Sequence, residues 1–115
     1  MQTEFIYKIL TKNEYEVFKK TDYYPGTEKD ISDGFIHFST KNQLIGTLEK
    51  YYKSEKNLIL LKFPSNNLKN LKWEESGKLF FPHLYSKLNT KDLLEIHELN
   101  NLSLIHISEP TRQLQ

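Results

Sequence analysis

The chain has 115 residues, with 16 Lys and Arg against 15 Asp and Glu, four His and no Cys. That length suits one domain whose single core buries somewhat over half of the unfolded surface, and the near-neutral balance gives no basic excess that would argue for a nucleic-acid surface built on phosphate neutralisation, so a small or locally docked partner is expected. The lack of cysteine excludes disulfide staples, thiolate nucleophiles and cysteine-based zinc sites, and agrees with a reducing compartment. There is no apolar run long enough to span a bilayer, and Met1-Gln2-Thr3-Glu4 leads straight into a strand-like segment, so the expected location is cytoplasmic, with no membrane partner.

In chain order, the aromatic and β-branched residues from Phe5 to Leu10 predict a strand, and Thr11 is placed to cap a helix from Lys12 to about Lys20. Asp22 to Asp33, with Pro25-Gly26, several acids and no apolar period, reads as a surface loop of lid-like length. Phe35 to Ser39 predicts a second strand, and Thr40 with Gln43 three residues on makes a capping box for a helix to about Tyr52. Lys50, Lys53 and Lys56 then read as a solvated face. Leu58 to Phe63 is a near-continuous apolar run, expected as a central strand, and Pro64 to Asn70 as a turn or short helix. Lys72 to Glu74, Leu79 to Tyr85 and Leu93 to Glu98 complete an α+β pattern without repeats.

Two short runs concentrate the candidate chemistry. Gly34-Phe35-Ile36-His37-Phe38-Ser39-Thr40 and Phe80-Phe81-Pro82-His83-Leu84-Tyr85 each set an imidazole among apolar and aromatic neighbours in an otherwise Lys-rich chain. Partial desolvation lets hydrogen-bond partners set the charge and tautomer of such a ring, which suits ligand reading or proton transfer near neutral pH. For either ring alone, the plainer reading is a core histidine satisfied by a backbone carbonyl. The period of two puts Phe35, His37 and Ser39 on one face of their strand and Ile36 and Phe38 on the other, so one face packs while the other presents polar groups. Glu74, beside the lone Trp73, is the best carboxylate, followed by Glu75, and Tyr85 and Tyr7 are candidate stacking rings. No metal site is expected, because two separated histidines without HExxH spacing make a poor ligand set. His97 reads as an exposed strand residue.

The C-terminal string Leu102-Ser103-Leu104-Ile105-His106-Ile107-Ser108-Glu109-Pro110-Thr111-Arg112 resembles one reading frame of a translated sequencing adapter. Arg112 is the only arginine, after fifteen lysines, which breaks the composition of the preceding hundred residues. The expected organisation is therefore a domain over 1–101 and a non-native tail over 102–115, with no role for His106.

The two histidine motifs, with Ile6-Tyr7-Lys8-Ile9, Gln43, Leu58-Ile59-Leu60-Leu61 and Trp73-Glu74 in this order, resemble the domain-of-unknown-function 952 family across nearly all of residues 5–98. The resemblance implies an ADP-ribosyltransferase-like split β-sheet with two or three short helices, shared with bacterial RNA 2′-phosphotransferases and rifamycin ADP-ribosyltransferases. It implies NAD as the ligand or substrate, with Lys8, Tyr7, His37, Ser39 and Tyr85 around it and Glu74, His83 and His37 in catalytic roles. Lys8 stands where histidine is commoner in the family, and an ammonium has neither the acceptor nitrogen nor the flat face of an imidazole. Ser86 stands where glycine is usual.

Two functions follow from that resemblance. One is an NAD-utilising enzyme of the ADP-ribosyltransferase type, easing nicotinamide departure through an oxocarbenium-like transition state by positioning and preorganised charge. The other is a non-catalytic module on the same fold, binding a nucleotide-like metabolite or a protein.

Overall fold

Strand β1 (Phe5–Leu10) is followed by helix α1 (Lys12–Lys19), β2 (Tyr23–Tyr24), helix α2 (Glu28–Asp33) and β3 (Ile36–His37). A 3-10 turn over Lys41–Gln43 leads into α3 (Leu44–Tyr51), and five strands complete the domain: β4 (Leu58–Pro64), β5 (Leu71–Ser76), β6 (Leu79–Leu84), β7 (Leu88–Asn89) and β8 (Glu95–Leu99). The computed structural model describes residues 3–53 and 55–99, so the tail expected over 102–115 lies outside the described residues.

All strand pairs are antiparallel and fall into two three-stranded sheets, β1-β4-β8 and β3-β6-β5, with β2-β7 as a small ribbon. One bridge ties the larger sheets together: Tyr7 and Ser39 exchange backbone hydrogen bonds of 2.8 and 2.9 Å. Strand β4 is the middle of its sheet, as its apolar run predicts, and both of its faces are covered. Ile59, Leu61 and Phe63 join Ile6, Leu10, Phe18, Ile36 and Leu84 in one core cluster. Leu58 and Leu60 join Ile9, Leu44 and Leu48 of α3 in a second. A sheet buried on two sides leaves no reason for polar alternation along its central strand.

Local chemistry starts the helices where the sequence predicts. Thr11 caps α1 by accepting from Glu14 N at 3.2 Å, while the Glu14 carboxylate accepts from Thr11 N at 2.9 Å. At the 3-10 turn Gln43 Oε1 accepts from Thr40 N at 2.9 Å.

The segment Asp22–Asp33 corrects the expectation of a surface loop. It carries β2 and α2, and Asp30 is among the most buried side chains, at 2% exposure. The physical reason is a further capping box: Thr27 N donates to Asp30 Oδ2 at 2.9 Å, and Asp30 N donates to Thr27 Oγ1 at 3.2 Å. Gly26, at φ +107°, lies so close that a Cβ there would come within 2.6 Å of Asp30 Cβ, so only glycine meets both the backbone angle and the packing. Gly34 ends α2 in the left-handed region at φ +90°, its N–H donating to Asp30 O.

Candidate functional site

Sheet β3-β6-β5 buries one face and presents the other. Ile36 and Leu84 pair across β3 and β6 and both lie in the first core cluster, with Trp73 packed against it. Period two then sends His37, His83, Lys72 and Glu74 to the opposite face, where His37 pairs directly with His83 and His83 with Lys72. The two imidazoles, 46 positions apart in sequence, sit with ring centroids 5.7 Å apart.

Each ring holds a carboxylate at Nδ1. His83 Nδ1 lies 2.8 Å from Glu74 Oε1, which also accepts from the Tyr85 hydroxyl at 2.6 Å. His37 Nδ1 lies 2.6 Å from Asp30 Oδ1, and its Nε2 is 3.0 Å from an Asp33 carboxylate oxygen. An ionised carboxylate only accepts, so the proton of each Nδ1 points at its acid and Nε2 of His83 is left to accept or donate. That Nε2 has no hydrogen-bond partner among the described residues, although the His83 side chain is only 10% exposed.

Phe35 lies over this cluster. Its ring stacks on His83 at 4.0 Å and 25°, and lies 4.6 Å from His37 and 5.3 Å from Tyr85. Four flat rings therefore form one aromatic surface, with Tyr85 the most exposed at 42%.

Beneath it sits a buried ion pair. Lys8 Nζ lies 2.8 Å from Asp30 Oδ2, at 5% and 2% side-chain exposure, and donates to His37 O at 2.9 Å. Burial would raise the Asp30 pKa, but the hydrogen bond from His37, the charge and hydrogen bond of Lys8 and the Thr27 N–H outweigh it and hold the carboxyl well below its ordinary range. Burial pulls the Lys8 ammonium below its ordinary value against the opposing pull of Asp30. On the open side, the hydrogen bonds from Tyr85 and His83 keep Glu74 below the usual carboxylate range, and the same carboxylate pushes the Tyr85 hydroxyl up.

The structure thus brings together His37, His83, Glu74 and Tyr85 of the residues singled out in the sequence. Lys8 touches the cluster only from below, through Asp30 and the His37 carbonyl. Tyr7, its neighbour on β1, is packed against the cluster of Ile9, Leu44 and Leu48 on the other face of the sheet. Ser39 is buried with its Oγ 3.0 Å from Thr47 Oγ1 on α3. Glu75 is exposed and pairs with Phe80, facing away from Glu74. Asp30, Asp33 and Phe35 are the residues sequence reasoning missed as site members. The available signal was Thr27-x-x-Asp30, a capping spacing that marks a helix immediately before the His37 strand.

Fold and site together define a small α+β domain with an imidazole–carboxylate face on a short antiparallel sheet. The profile of the family described as Protein of unknown function (DUF952) matches residues 9–96, and the chain belongs to that family. It is similar to protein CC0527 from Caulobacter crescentus, whose X-ray structure is 37% identical over 84% of this chain and 86% of that one, with a TM-score of 0.79. The solution NMR structure of CC0527 gives 37% identity, 84% of each chain and a TM-score of 0.75. No curated protein matches the chain.

Proposed function

We propose that this domain binds an NAD-derived nucleotide metabolite at the imidazole and aromatic face, on a split sheet of the ADP-ribosyltransferase-like type. The observation that carries the reading is His83: a nine-tenths buried ring, fixed at Nδ1 by Glu74, whose Nε2 has no partner among the described residues. A buried polar atom left unpaired costs free energy unless something meets it, and ligand sites are where such atoms persist. The stacked rings of Phe35, His83 and Tyr85 suit a flat heterocycle.

Binding without turnover fits the remaining groups best. Lys8, Ser39 and Tyr7, which the family resemblance places around NAD, are engaged with Asp30, Thr47 and the α3 side of the sheet. A transferase reading has one observation in its favour: Tyr85 and His83 both use Oε1 of Glu74, which leaves Oε2 for a developing positive charge at the scissile ribose.

The test is calorimetric titration of the full chain with NAD⁺, run beside chromatographic detection of released nicotinamide. Saturable binding that His83→Ala abolishes, without nicotinamide release, is the expected result. Release that depends on Glu74 transfers the conclusion to the enzyme. A chain that takes up no NAD⁺ at millimolar concentration overturns both.

A further inference from the structure

Of the outer strands of the two three-stranded sheets, β1 and β3 are tied to each other at Tyr7 and Ser39, and β8 ends at the last described residue. Strand β5 is open along its whole length. Tyr85 N donates to Asn70 O at 2.9 Å, and the register continues as Lys72 with His83 and Glu74 with Phe81. Antiparallel ladders alternate, so Lys72, Glu74 and Ser76 turn their backbone groups to β6, while Leu71, Trp73 and Glu75 turn theirs away. Among the described residues nothing takes those outward N–H and C=O groups. An unpaired row of this kind is a template for another strand.

The side chains of β5 identify that strand as a second copy of itself. Two copies paired antiparallel are related by a two-fold axis normal to the sheet, which keeps corresponding faces together and allows only pairings centred on a residue. Centring on Lys72 sets two ammonium groups against each other, and centring on Glu74 sets two carboxylates against each other. Centring further out shortens the overlap. Centring on Trp73 brings Lys72 of each copy opposite Glu74 of the other, at the close, non-hydrogen-bonded positions where Cα atoms lie about 4.5 Å apart. In that register Trp73 exchanges backbone bonds with its own counterpart and Leu71 with Glu75, which uses the groups that point outward. Both charges are available. His83 and Tyr85 meet Glu74 at Oε1 and leave Oε2, and Lys72 Nζ has no carboxylate partner among the described residues, lying 5.3 Å from the centre of the Tyr85 ring.

We propose that two copies of this chain associate through β5, antiparallel and centred on Trp73, so that their β3-β6-β5 sheets become one sheet of six strands. Both imidazole faces then lie on the same side, and each copy supplies its Lys72 to the Glu74 of the other, beside His83. On the opposite face Trp73, half-buried against the core, packs on its counterpart. The pairing does not depend on what the imidazole face binds.

The test is analytical ultracentrifugation of the full chain over a range of concentrations, read beside the fluorescence of Trp73, the one tryptophan. A reversible dimer is expected, with an emission shift that follows the dimer fraction. Lys72→Glu and Glu74→Lys should each weaken self-association about ten-fold or more by setting like charges opposite one another. Mixing the two variants should restore the dimer, because every charge across the axis again meets its opposite. Glu75→Pro removes an outward N–H without touching the β5-β6 ladder, so it should abolish association and leave the circular dichroism spectrum unchanged. Misfolded chains do not rescue one another, so the mixing experiment holds even where a single variant is destabilised. A chain that stays monomeric at about 1 mM overturns the proposal. So does a dimer indifferent to all three variants, or one that each charge variant weakens and the mixture fails to restore.

Discussion

His37 and His83 face each other across two strands, and each gives its Nδ1 to a carboxylate, yet the two pairs are built in opposite ways. The acid of His37 is buried and shared: Asp30, 2% exposed, also holds Lys8, the Thr27 N–H and the His37 backbone N–H. The acid of His83 is exposed: Glu74 is 40% accessible and otherwise meets only the Tyr85 hydroxyl among the described side chains. His37 also has its second nitrogen on Asp33, whereas His83 keeps one uncommitted. The same imidazole–carboxylate unit is thus a tie between α2, β1 and β3 in one place and a receptive group in the other. What separates them is whether the carboxylate is surrounded.

The contrast is broken most severely at Asp30. Asp30→Asn strands the Lys8 ammonium in the interior, and a loss of about 3–5 kcal/mol in urea unfolding is expected. Replacing both residues, Asp30→Asn with Lys8→Met, should recover a large part of that loss, and a double-mutant cycle measures how much. If the two losses simply add, the pair is not the tie described here.

Backbone support of the tie comes next. Gly26→Ala forces a side chain into Asp30 at a positive φ, at a cost of about 1–3 kcal/mol. Thr27→Ala removes the α2 cap at about 1 kcal/mol. Both should lower the thermal midpoint without touching the His83 side, so an altered His83 NMR signal in either variant would argue against separate roles.

Acid sharpens the comparison further. The Asp30 carboxyl titrates below its unfolded value, so it binds fewer protons folded than unfolded as pH approaches 4 from above. Its contribution is complete above the unfolded pKa of about 3.9 and is lost as the pH falls through the lower folded value. Urea midpoints measured from pH 6 to pH 2 should fall at the acid end, and Asp30→Asn should flatten that fall. The smallest stability effect is expected at Glu74→Gln, whose exposed carboxylate can be replaced with no measurable shift in urea midpoint, while ligand binding changes.

Much of this was readable from residues. The Pro82-His83-Leu84-Tyr85 run and the Phe35-to-Ser39 run carry period two, so Ile36 and Leu84 had to face the core and the histidines the other side. Thr11 as a cap and Thr40 with Gln43 as a capping box announced their helix starts. Helix α2 was missed because Glu28-Lys29-Asp30-Ile31-Ser32-Asp33 has no apolar stripe; Ile31, its one large apolar side chain, is 61% exposed. What holds that helix is a buried charge, and a lysine twenty-two positions earlier supplies the counter-charge.

By itself the sequence determined six of the eight strands, missing the two-residue β2 and β7, along with two of the three helices, the family and the polarity of each strand face, because these depend on periodicity and capping within a few residues. The tertiary structure alone decided which side chains meet. Tyr7 went to the α3 side beside Leu44 and Leu48, Ser39 to Thr47, and Lys8 to an aspartate in a segment that reads as loop. Such partnerships arise when distant segments are brought into register by antiparallel pairing and desolvated together. No local pattern encodes them, since an isolated charge is written in the same letter whether it is solvated or buried against its opposite.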